Sequence, residues 1–348
     1  MTVPESRSAG LQLYVMVAIS ATICIGLLVY KSRDPNPIYQ YLRLLASYEF
    51  GLIKRALIGE LFTLSGATLA PFHAFWLGVA SWVTALTLFL VAFRRIFGLS
   101  HETLLLFVFM ACSPFFFKNF AFANGYLDIY GCIVALIALL LAPNLVSLLV
   151  VGLLAIVLLF IHHLHLLLYI PTILIIVGLR YYARWGPDPR FVVCGAIICL
   201  ALLAVSIRLI FFGTPPVTLE VFTEALRRRD PNFSDPQFMV AVEQLWYLTL
   251  SERIHNTPNV LPRQAKRLPV YVALVLIHYP LIACYIQTIR NLATRELRVL
   301  TTLAAIAISA AYPLIFISMH DYSRVLSDWA VCRIVPVPVE IGAAGAIG

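Results

Sequence analysis

Long apolar runs follow one another along most of this chain, with short polar connections between them. A bilayer core about 30 Å thick is crossed by roughly 20 helical residues, because each residue advances a helix by about 1.5 Å. The uninterrupted apolar runs are 10–30, 68–93, 103–117, 125–142, 145–161, 164–179, 191–212, 270–288 and 299–318. A tenth apolar run, 329–347, is interrupted by Pro336 and Pro338. The pattern predicts an all-α protein, a polytopic transmembrane helical bundle of about 9–10 spans.

Composition supports a single integral membrane domain over residues 1–348. Hydrophobic residues make up 61% of the chain and charged residues 12%, with a mean hydropathy of +0.91. A soluble domain has about 45–50% apolar and about 25% charged residues, so soluble enzyme folds and disordered scaffolds are excluded. The seven cysteines all lie in apolar stretches without a CxxC pair, which indicates buried small side chains and no disulfide framework. We expect the run 10–30 to be an uncleaved anchor.

Arginines in the short loops predict the orientation of the bundle. Lysine and arginine are enriched in short cytoplasmic loops, and an amino terminus on the cytoplasmic side places eight arginines there. These are Arg94, Arg95, Arg180, Arg184, Arg190, Arg290, Arg295 and Arg298. The nearly unbroken stretch 145–179 could also be one span, which would invert everything after it. Two spans are preferred, because 35 helical residues would extend about 52 Å.

Two predicted outer segments, 31–67 and 213–268, are too long to be simple connections. In the first, apolar residues between Leu52 and Leu61 recur at helical spacing, with Lys54 and Arg55 between them. This predicts a helix in the membrane interface, its basic edge toward the headgroups, either as an anchor or in contact with substrate. The second segment contains three consecutive arginines and a predicted helix over 236–253.

Acidic residues stand at the outer ends of the predicted spans, where ionisable groups are candidates for function. Asp34 precedes a proline beyond the first span. It could act as a general base, bind a metal or start the following helix. Asp128 begins the span 125–142, where its burial costs several kcal/mol unless it is paired. It is a candidate base or a structural partner of Lys118 or of a distant arginine.

Histidines and arginines gather at the same predicted side. His162 and His165 are three residues apart and share a helix face, which fits a hydrogen-bonding turn or an anion contact better than zinc, which needs three or four protein ligands. In the sequence 320–324, Asp321 and Arg324 could form an ion pair. Alternatively, Arg324 could bind phosphate while Asp321 or His320 handles a proton. The remaining cluster, a solvated helix end or a diphosphate clamp, comprises Arg227, Arg228 and Arg229.

This layout resembles the polytopic GT-C glycosyltransferases, which use polyprenyl-phosphate sugars. The resemblance is carried by Asp34 followed by membrane-parallel helices at 39–62, by Asp128 at the second outer connection, and by the arginine-bearing loop 213–268. It implies transfer of a sugar from a polyprenyl-phosphate donor to a glycan or lipid acceptor at the outer face of a bacterial inner membrane. It implies no definite cofactor, and it is compatible with a divalent metal.

The resemblance also implies residue roles. Asp34 or Asp128 would act on the acceptor hydroxyl, and Asp321 is the third catalytic candidate. The phosphate would be bound by Arg227, Arg228, Arg229 and Arg324, with hydrogen bonds from His162, His165 or His320. The interfacial helix would hold the prenyl tail within the membrane lipid.

Two other classes of function stay open. One is a secondary transporter or lipid flippase, although such proteins place ionisable residues near the bilayer midplane and only Arg208 and His278 lie well inside predicted spans. The other is a non-catalytic subunit of a polysaccharide polymerase or ligase assembly. The sequence has no Walker loop, GxGxxG, HExxH or GxSxG motif. The sequence also lacks a basic region interleaved with aromatic residues, so it gives no indication of nucleic-acid binding.

Overall fold

Helices account for nearly all of the chain whose structure is described. The structure, a computed structural model, describes residues 38–98, 100–112, 120, 125–231, 237–249 and 294–318, with scattered positions in 15–30 and 251–292. These ranges contain helices and connecting turns and no strand. The predicted all-α class is therefore confirmed for the part of the chain described.

The helices are numbered in chain order. They are α1 (Ile38–Leu45), α2 (Leu57–Leu64), α3 (Pro71–Phe97), α4 (His101–Cys112), α5 (Asp128–Leu140), α6 (Leu145–Ile161), α7 (His165–Leu168), α8 (Ile170–Trp185), α9 (Pro189–Phe212), α10 (Leu219–Arg229), α11 (Phe238–Val242) and α12 (Arg295–Ser318). A 3₁₀ turn occupies Tyr48–Phe50, and a π-helical turn, Glu243–Tyr247, follows α11.

Local sequence sets the ends of these helices. The side chain of Asn144 accepts a hydrogen bond from the Ser147 amide at 2.8 Å and caps the start of α6. Asp188 caps the start of α9 in the same way, immediately before a proline. Gly98 and Gly186, both with φ of 72°, end α3 and α8, because glycine adopts a positive φ without steric cost.

Three helical stretches are long and apolar enough to cross a membrane: Pro71–Phe97, His165–Trp185 and Pro189–Phe212. The last has a mean hydropathy of 2.6 and exposes large apolar side chains such as Leu200 and Phe211. Extended apolar surface of this kind fits contact with lipid. These helices are consistent with an integral membrane protein. Helices α5 and α6 are also apolar but are shorter than these three stretches.

Contacts between the helices define two ends of the bundle. Near the start of α5, the Ser81 hydroxyl on α3 donates to the Tyr130 hydroxyl at 3.3 Å. At the other end of α5, Arg95 donates to the Leu140 carbonyl at 3.0 Å and Arg180 donates to the Leu141 carbonyl at 2.6 Å. We call this second end the arginine end. The structure thus brings together two of the arginine loops that the sequence assigns to one side.

The stretch 145–179 is broken into separate helices. Helix α6 ends at Ile161, and His162 takes an extended conformation before the chain turns back into α7 and α8. His165 lies beside Leu127 at the start of α5, whereas Arg180 reaches the residue after the end of α5. Helices α5 and α8 therefore run in the same direction, and α6 runs back between them. This confirms that the chain reverses within 145–179 rather than continuing as one helix.

A layer of short helices and turns covers the end of the bundle opposite the arginine end. We call it the cap layer; it consists of α1, α2, α10, α11 and the turns that flank them. Its core contains Tyr41, Phe222 and Trp246, each no more than 1% exposed. The Tyr41 hydroxyl donates to Asp230 at 2.6 Å, and the Lys54 amide donates to the Gly213 carbonyl at 2.9 Å. The two long segments identified in the sequence thus pack against each other.

The structure corrects the expected helix around residues 50–62. The helix begins only at Leu57, because residues 51–56 form a turn. Lys54 and Arg55, expected on a basic edge that faces headgroups, are each only 6% exposed. Buried hydrogen bonds from the second long segment hold this turn away from solvent, so the expected orientation is wrong.

The helix expected over 236–253 also differs from the structure. Helix α11 covers only Phe238–Val242, the π-helical turn follows it, and the backbone becomes extended at Leu248. Within the π-helical turn, the Trp246 indole donates to the Lys54 carbonyl at 2.8 Å. The contact between the two segments thus coincides with the irregular part of the helix.

Candidate functional site

Ionisable side chains are buried where the cap layer meets the first turn of α5 and the turn after α6. Asp128 is the first residue of α5 and is 1% exposed. His162 and His165 flank the turn between α6 and α7 and are 2% and 0% exposed. The structure therefore brings together three of the residues that the sequence identified as candidates.

His162 lies at the centre of this cluster. Its ring centroid is 5.4 Å from that of His163 and 5.8 Å from that of His165. Burial, followed by the positive charge of Arg55, holds the pKa of His162 well below its usual value, so the imidazole is neutral near pH 7. The Leu164 amide donates to His162 Nδ1 at 3.4 Å. The single ring proton is then on Nε2, which is a hydrogen-bond donor.

His165 is held against the start of α5. Its Nε2 lies 3.2 Å from the Leu127 carbonyl oxygen, to which it donates, and the Asp128 carboxylate interacts with it electrostatically. Gly131 permits this approach, because a Cβ there would lie 2.8 Å from His165 Nδ1 and 2.3 Å from the Tyr169 ring. Asp128 and His165 form a packed unit across two helices.

Two buried arginines belong to the same cluster, and sequence reasoning did not select either as a site residue. Arg43 on α1 is 5% exposed and lies over the Tyr126 ring, 5.6 Å from its centroid. Arg55 donates through Nη1 to the Leu245 carbonyl at 2.8 Å. Both guanidinium groups lie close enough to His162 to lower its pKa. The sequence signal that could have identified Arg43 as a site residue is its position inside an apolar helical stretch.

The buried charge of this region is predominantly positive. Among the lysine, arginine, aspartate and glutamate side chains described as buried, Arg43, Lys54 and Arg55 are cationic and Asp128 is anionic. A buried charge costs several kcal/mol unless an opposite charge or hydrogen bonds compensate for it. The guanidinium and ammonium groups supply hydrogen-bond donors here, and the Asp128 carboxylate supplies acceptors.

The arginines predicted to bind phosphate have other positions. Arg229 donates to the Ser47 hydroxyl and, at 2.7 Å, to the Thr63 hydroxyl, and it lies 3.9 Å from the Glu49 carboxylate. It therefore holds α10 against the first long segment. Arg227 is exposed and lies over the Phe238 ring at 5.4 Å. Arg228 is also exposed on α10.

The remaining predicted site residues, Asp34, His320, Asp321 and Arg324, lie outside the described residues. Within the described ranges, no group of three or more histidine, cysteine, aspartate or glutamate side chains could hold a metal ion. The Asp128 carboxylate and the imidazoles of His162 and His165 are groups that can take part in proton transfer and hydrogen bonding.

Comparison with protein-family models, with curated proteins and with solved structures finds no match to this chain. The resemblance to GT-C glycosyltransferases therefore rests on the layout of the sequence, and it stays a prediction. The structural basis for a function is the buried cluster and its position between membrane helices and the cap layer.

Proposed function

We propose that this protein is a multi-pass membrane glycosyltransferase of about nine to ten spans. It transfers a sugar from a lipid-phosphate donor to an acceptor at the end of the bundle that carries the cap layer, which we place at the outer face of the membrane. The observation that supports this most directly is the burial of Asp128, His162 and two guanidinium groups where apolar helices meet the cap layer. A substrate that is half lipid and half polar fits such a boundary.

The proposed reaction requires a base and fixed cations. The acceptor oxygen bonds to the anomeric carbon of the sugar, and the bond from that carbon to the phosphate oxygen breaks. The hydroxyl proton passes to Asp128 or Asp34, because a base within about 3 Å is needed. The electron pair leaves with the phosphate, whose negative charge increases by one. Fixed cations stabilise charge that develops in this way.

A transfer assay with purified protein tests the proposal. The protein is reconstituted into liposomes with radiolabelled undecaprenyl-phosphate hexoses and pentoses, and with cell-envelope extract as the source of acceptors. We expect label to move from the lipid donor to an acceptor. We expect whichever of Asp128→Asn and Asp34→Asn removes the base to reduce the rate at least about 100-fold, in the range for loss of a general base.

The matched control is Asp188→Asn. Asp188 is a partly exposed carboxylate near the arginine end, and asparagine preserves its helix cap. This variant should retain the wild-type rate. Full transfer by both Asp128→Asn and Asp34→Asn, or no transfer by the wild-type protein, would refute the proposal. Movement of an intact donor across the bilayer without cleavage would favour the flippase alternative instead.

A further inference from the structure

We infer that the arginine end binds the headgroup of an anionic phospholipid. The site is formed by Arg95, Arg180 and Arg184 around the turn that joins α5 to α6, and its ligand is a phospholipid with a net negative headgroup, such as phosphatidylglycerol. The site lies at the end of the bundle opposite the proposed sugar transfer, so the inference does not rest on the proposed function.

Two of the arginines meet at consecutive residues of this turn. Arg95, in the last turn of α3, donates through Nη1 to the Leu140 carbonyl at 3.0 Å. Arg180, on α8, donates through its own Nη1 to the Leu141 carbonyl at 2.6 Å. Carbonyl oxygens of consecutive residues are at most about 5 Å apart, which places the two Nη1 atoms within about 11 Å of each other. The two guanidinium groups are therefore neighbours at the end of α5.

Trp185 holds the third arginine at the same turn. The Trp185 indole donates to the Pro143 carbonyl at 2.8 Å, and the Arg184 guanidinium lies over the indole ring, 5.2 Å from its centroid. Arg184 follows Arg180 by four residues on α8 and so shares its side of the helix. Trp185 is 59% exposed at the end of a helix long enough to span a membrane. Tryptophan in this position is typical of the bilayer interface, where lipid headgroups lie.

The arginines keep hydrogen-bond donors for a ligand. In the described part of the chain, Arg95 and Arg180 donate through Nη1 alone, and only to neutral carbonyl groups. A guanidinium has five N–H donors in a planar fork that matches phosphate oxygens. Arg95 and Arg184 are exposed and Arg180 is partly exposed, so a headgroup reaches them without a rearrangement of the helices.

The charge at this end favours an anionic headgroup. Residues 94–98 and 180–190, at the ends of α3 and α8 and the start of α9, contain five arginines and one acidic residue, Asp188. The Asp188 carboxylate accepts hydrogen bonds from the Tyr181 hydroxyl and the Arg190 amide, which uses it to start α9. None of the five arginines forms an ion pair with another described residue. A lipid with a net negative headgroup supplies the balancing charge, which a zwitterionic lipid does not.

Apolar surface beside the arginines favours a lipid over a soluble phosphate. Val146 and Leu149, in the first turns of α6, are 67% and 55% exposed, and Val192 at the start of α9 is 66% exposed. Helices α6 and α9 are in contact, since a Cβ added at Gly152 would lie 2.8 Å from the Ile198 side chain. This exposed apolar surface begins next to the arginine end, where the acyl chains below a bound headgroup would lie.

Lipid retention by the purified full chain tests the site. The protein in a neutral detergent is titrated with dioleoyl-phosphatidylglycerol and with dioleoyl-phosphatidylcholine, and native mass spectrometry measures the fraction that retains lipid. The acyl chains are identical, so only the headgroup differs. We expect phosphatidylglycerol to bind at least about 10-fold more tightly, because each arginine beside an anionic headgroup contributes about 5-fold.

Variants locate the binding at this end of the molecule. Arg184→Gln and Arg95→Gln should each weaken phosphatidylglycerol binding about 5-fold and leave phosphatidylcholine binding unchanged. Arg95→Gln also removes the hydrogen bond to Leu140, so Arg95→Lys, which keeps the charge, should retain most of the affinity and a wild-type elution volume. The matched control is Arg228→Gln, which removes an exposed arginine from the cap layer and should change neither affinity.

Three results would overturn the inference. Equal affinity for the two lipids would show that the headgroup charge is not recognised. An equal loss of affinity in Arg228→Gln and Arg184→Gln would show that binding follows total charge rather than this site. Displacement of phosphatidylglycerol by glycerol 3-phosphate at similar concentration would assign the arginines to a soluble phosphate instead of a lipid.

Discussion

Gly59 on α2 packs against the backbone at the end of α1, and its replacement by alanine tests the packing of the cap layer. An added Cβ would lie 1.9 Å from the Ala46 carbonyl oxygen and 2.7 Å from the Leu44 carbonyl oxygen. Unbonded heavy atoms prefer separations of about 3.5 Å or more. Helix α2 must therefore move away by about 1 Å or more. Because both obstructing atoms belong to the backbone, no side-chain rotation removes the clash.

The expected cost follows from this geometry. Overpacking of a core costs about 1–3 kcal/mol, and the rigid obstruction here places Gly59→Ala near the upper end. A loss of about 3 kcal/mol lowers the melting temperature by several degrees. The measurement is thermal unfolding of the purified protein in detergent, followed by intrinsic tryptophan fluorescence.

Gly178→Ala is the matched control, because an added Cβ in this helical position has no atom within 4 Å. Alanine in place of glycine inside a helix contributes up to about 1 kcal/mol of stability. The control should therefore melt at or slightly above the wild-type temperature. Equal melting temperatures for Gly59→Ala and Gly178→Ala would show that α1 and α2 do not pack as described.

Two further predictions concern the cluster and the cap layer. His162 stays neutral in the folded protein while the unfolded side chain binds a proton below its usual pKa of 6.5. Stability should thus fall by about 1 kcal/mol per pH unit below that value. In thermal unfolding at pH 5.5 and 7.5 this dependence should be smaller for His162→Gln than for the wild-type protein, and an equal dependence would contradict the prediction. Arg229→Gln removes the bonds to Ser47 and Thr63; we expect faster limited proteolysis within 213–231, and an unchanged rate would contradict a holding role.

The sequence was sufficient for much of the helical framework. The His162 turn divides two apolar runs because His162, His163 and His165 together interrupt hydrophobicity at the expected boundary. The helix ends that carry Arg95 and Arg180 meet at one end of the bundle, because helices that follow each other through short connections alternate in direction. These features depend on local patterns, which sequence shows directly.

The charged cluster was only partly predictable, because burial of a segment depends on residues far away in the chain. Lys54 and Arg55 have the spacing of an exposed basic edge, yet Trp246 and Leu245, 192 and 190 residues later, cover them. Arg229 was expected to bind phosphate for its charge alone. Its partners, Ser47 and Thr63, lie 182 and 166 residues away and carry no pattern that links them to it.

The position at which α5 begins has a consequence for the surroundings of Asp128. Ser81, which contacts Tyr130, is ten residues after the start of α3, so α3 extends about 15 Å beyond that contact. Asp128 is only two residues before Tyr130, about 3 Å along the axis. The carboxylate therefore lies roughly 12 Å deeper than the first turn of its neighbour. Asp128 is only 1% exposed at that depth, so in the transfer reaction proposed above hydrolysis of the sugar donor would compete poorly with delivery of the sugar to another hydroxyl.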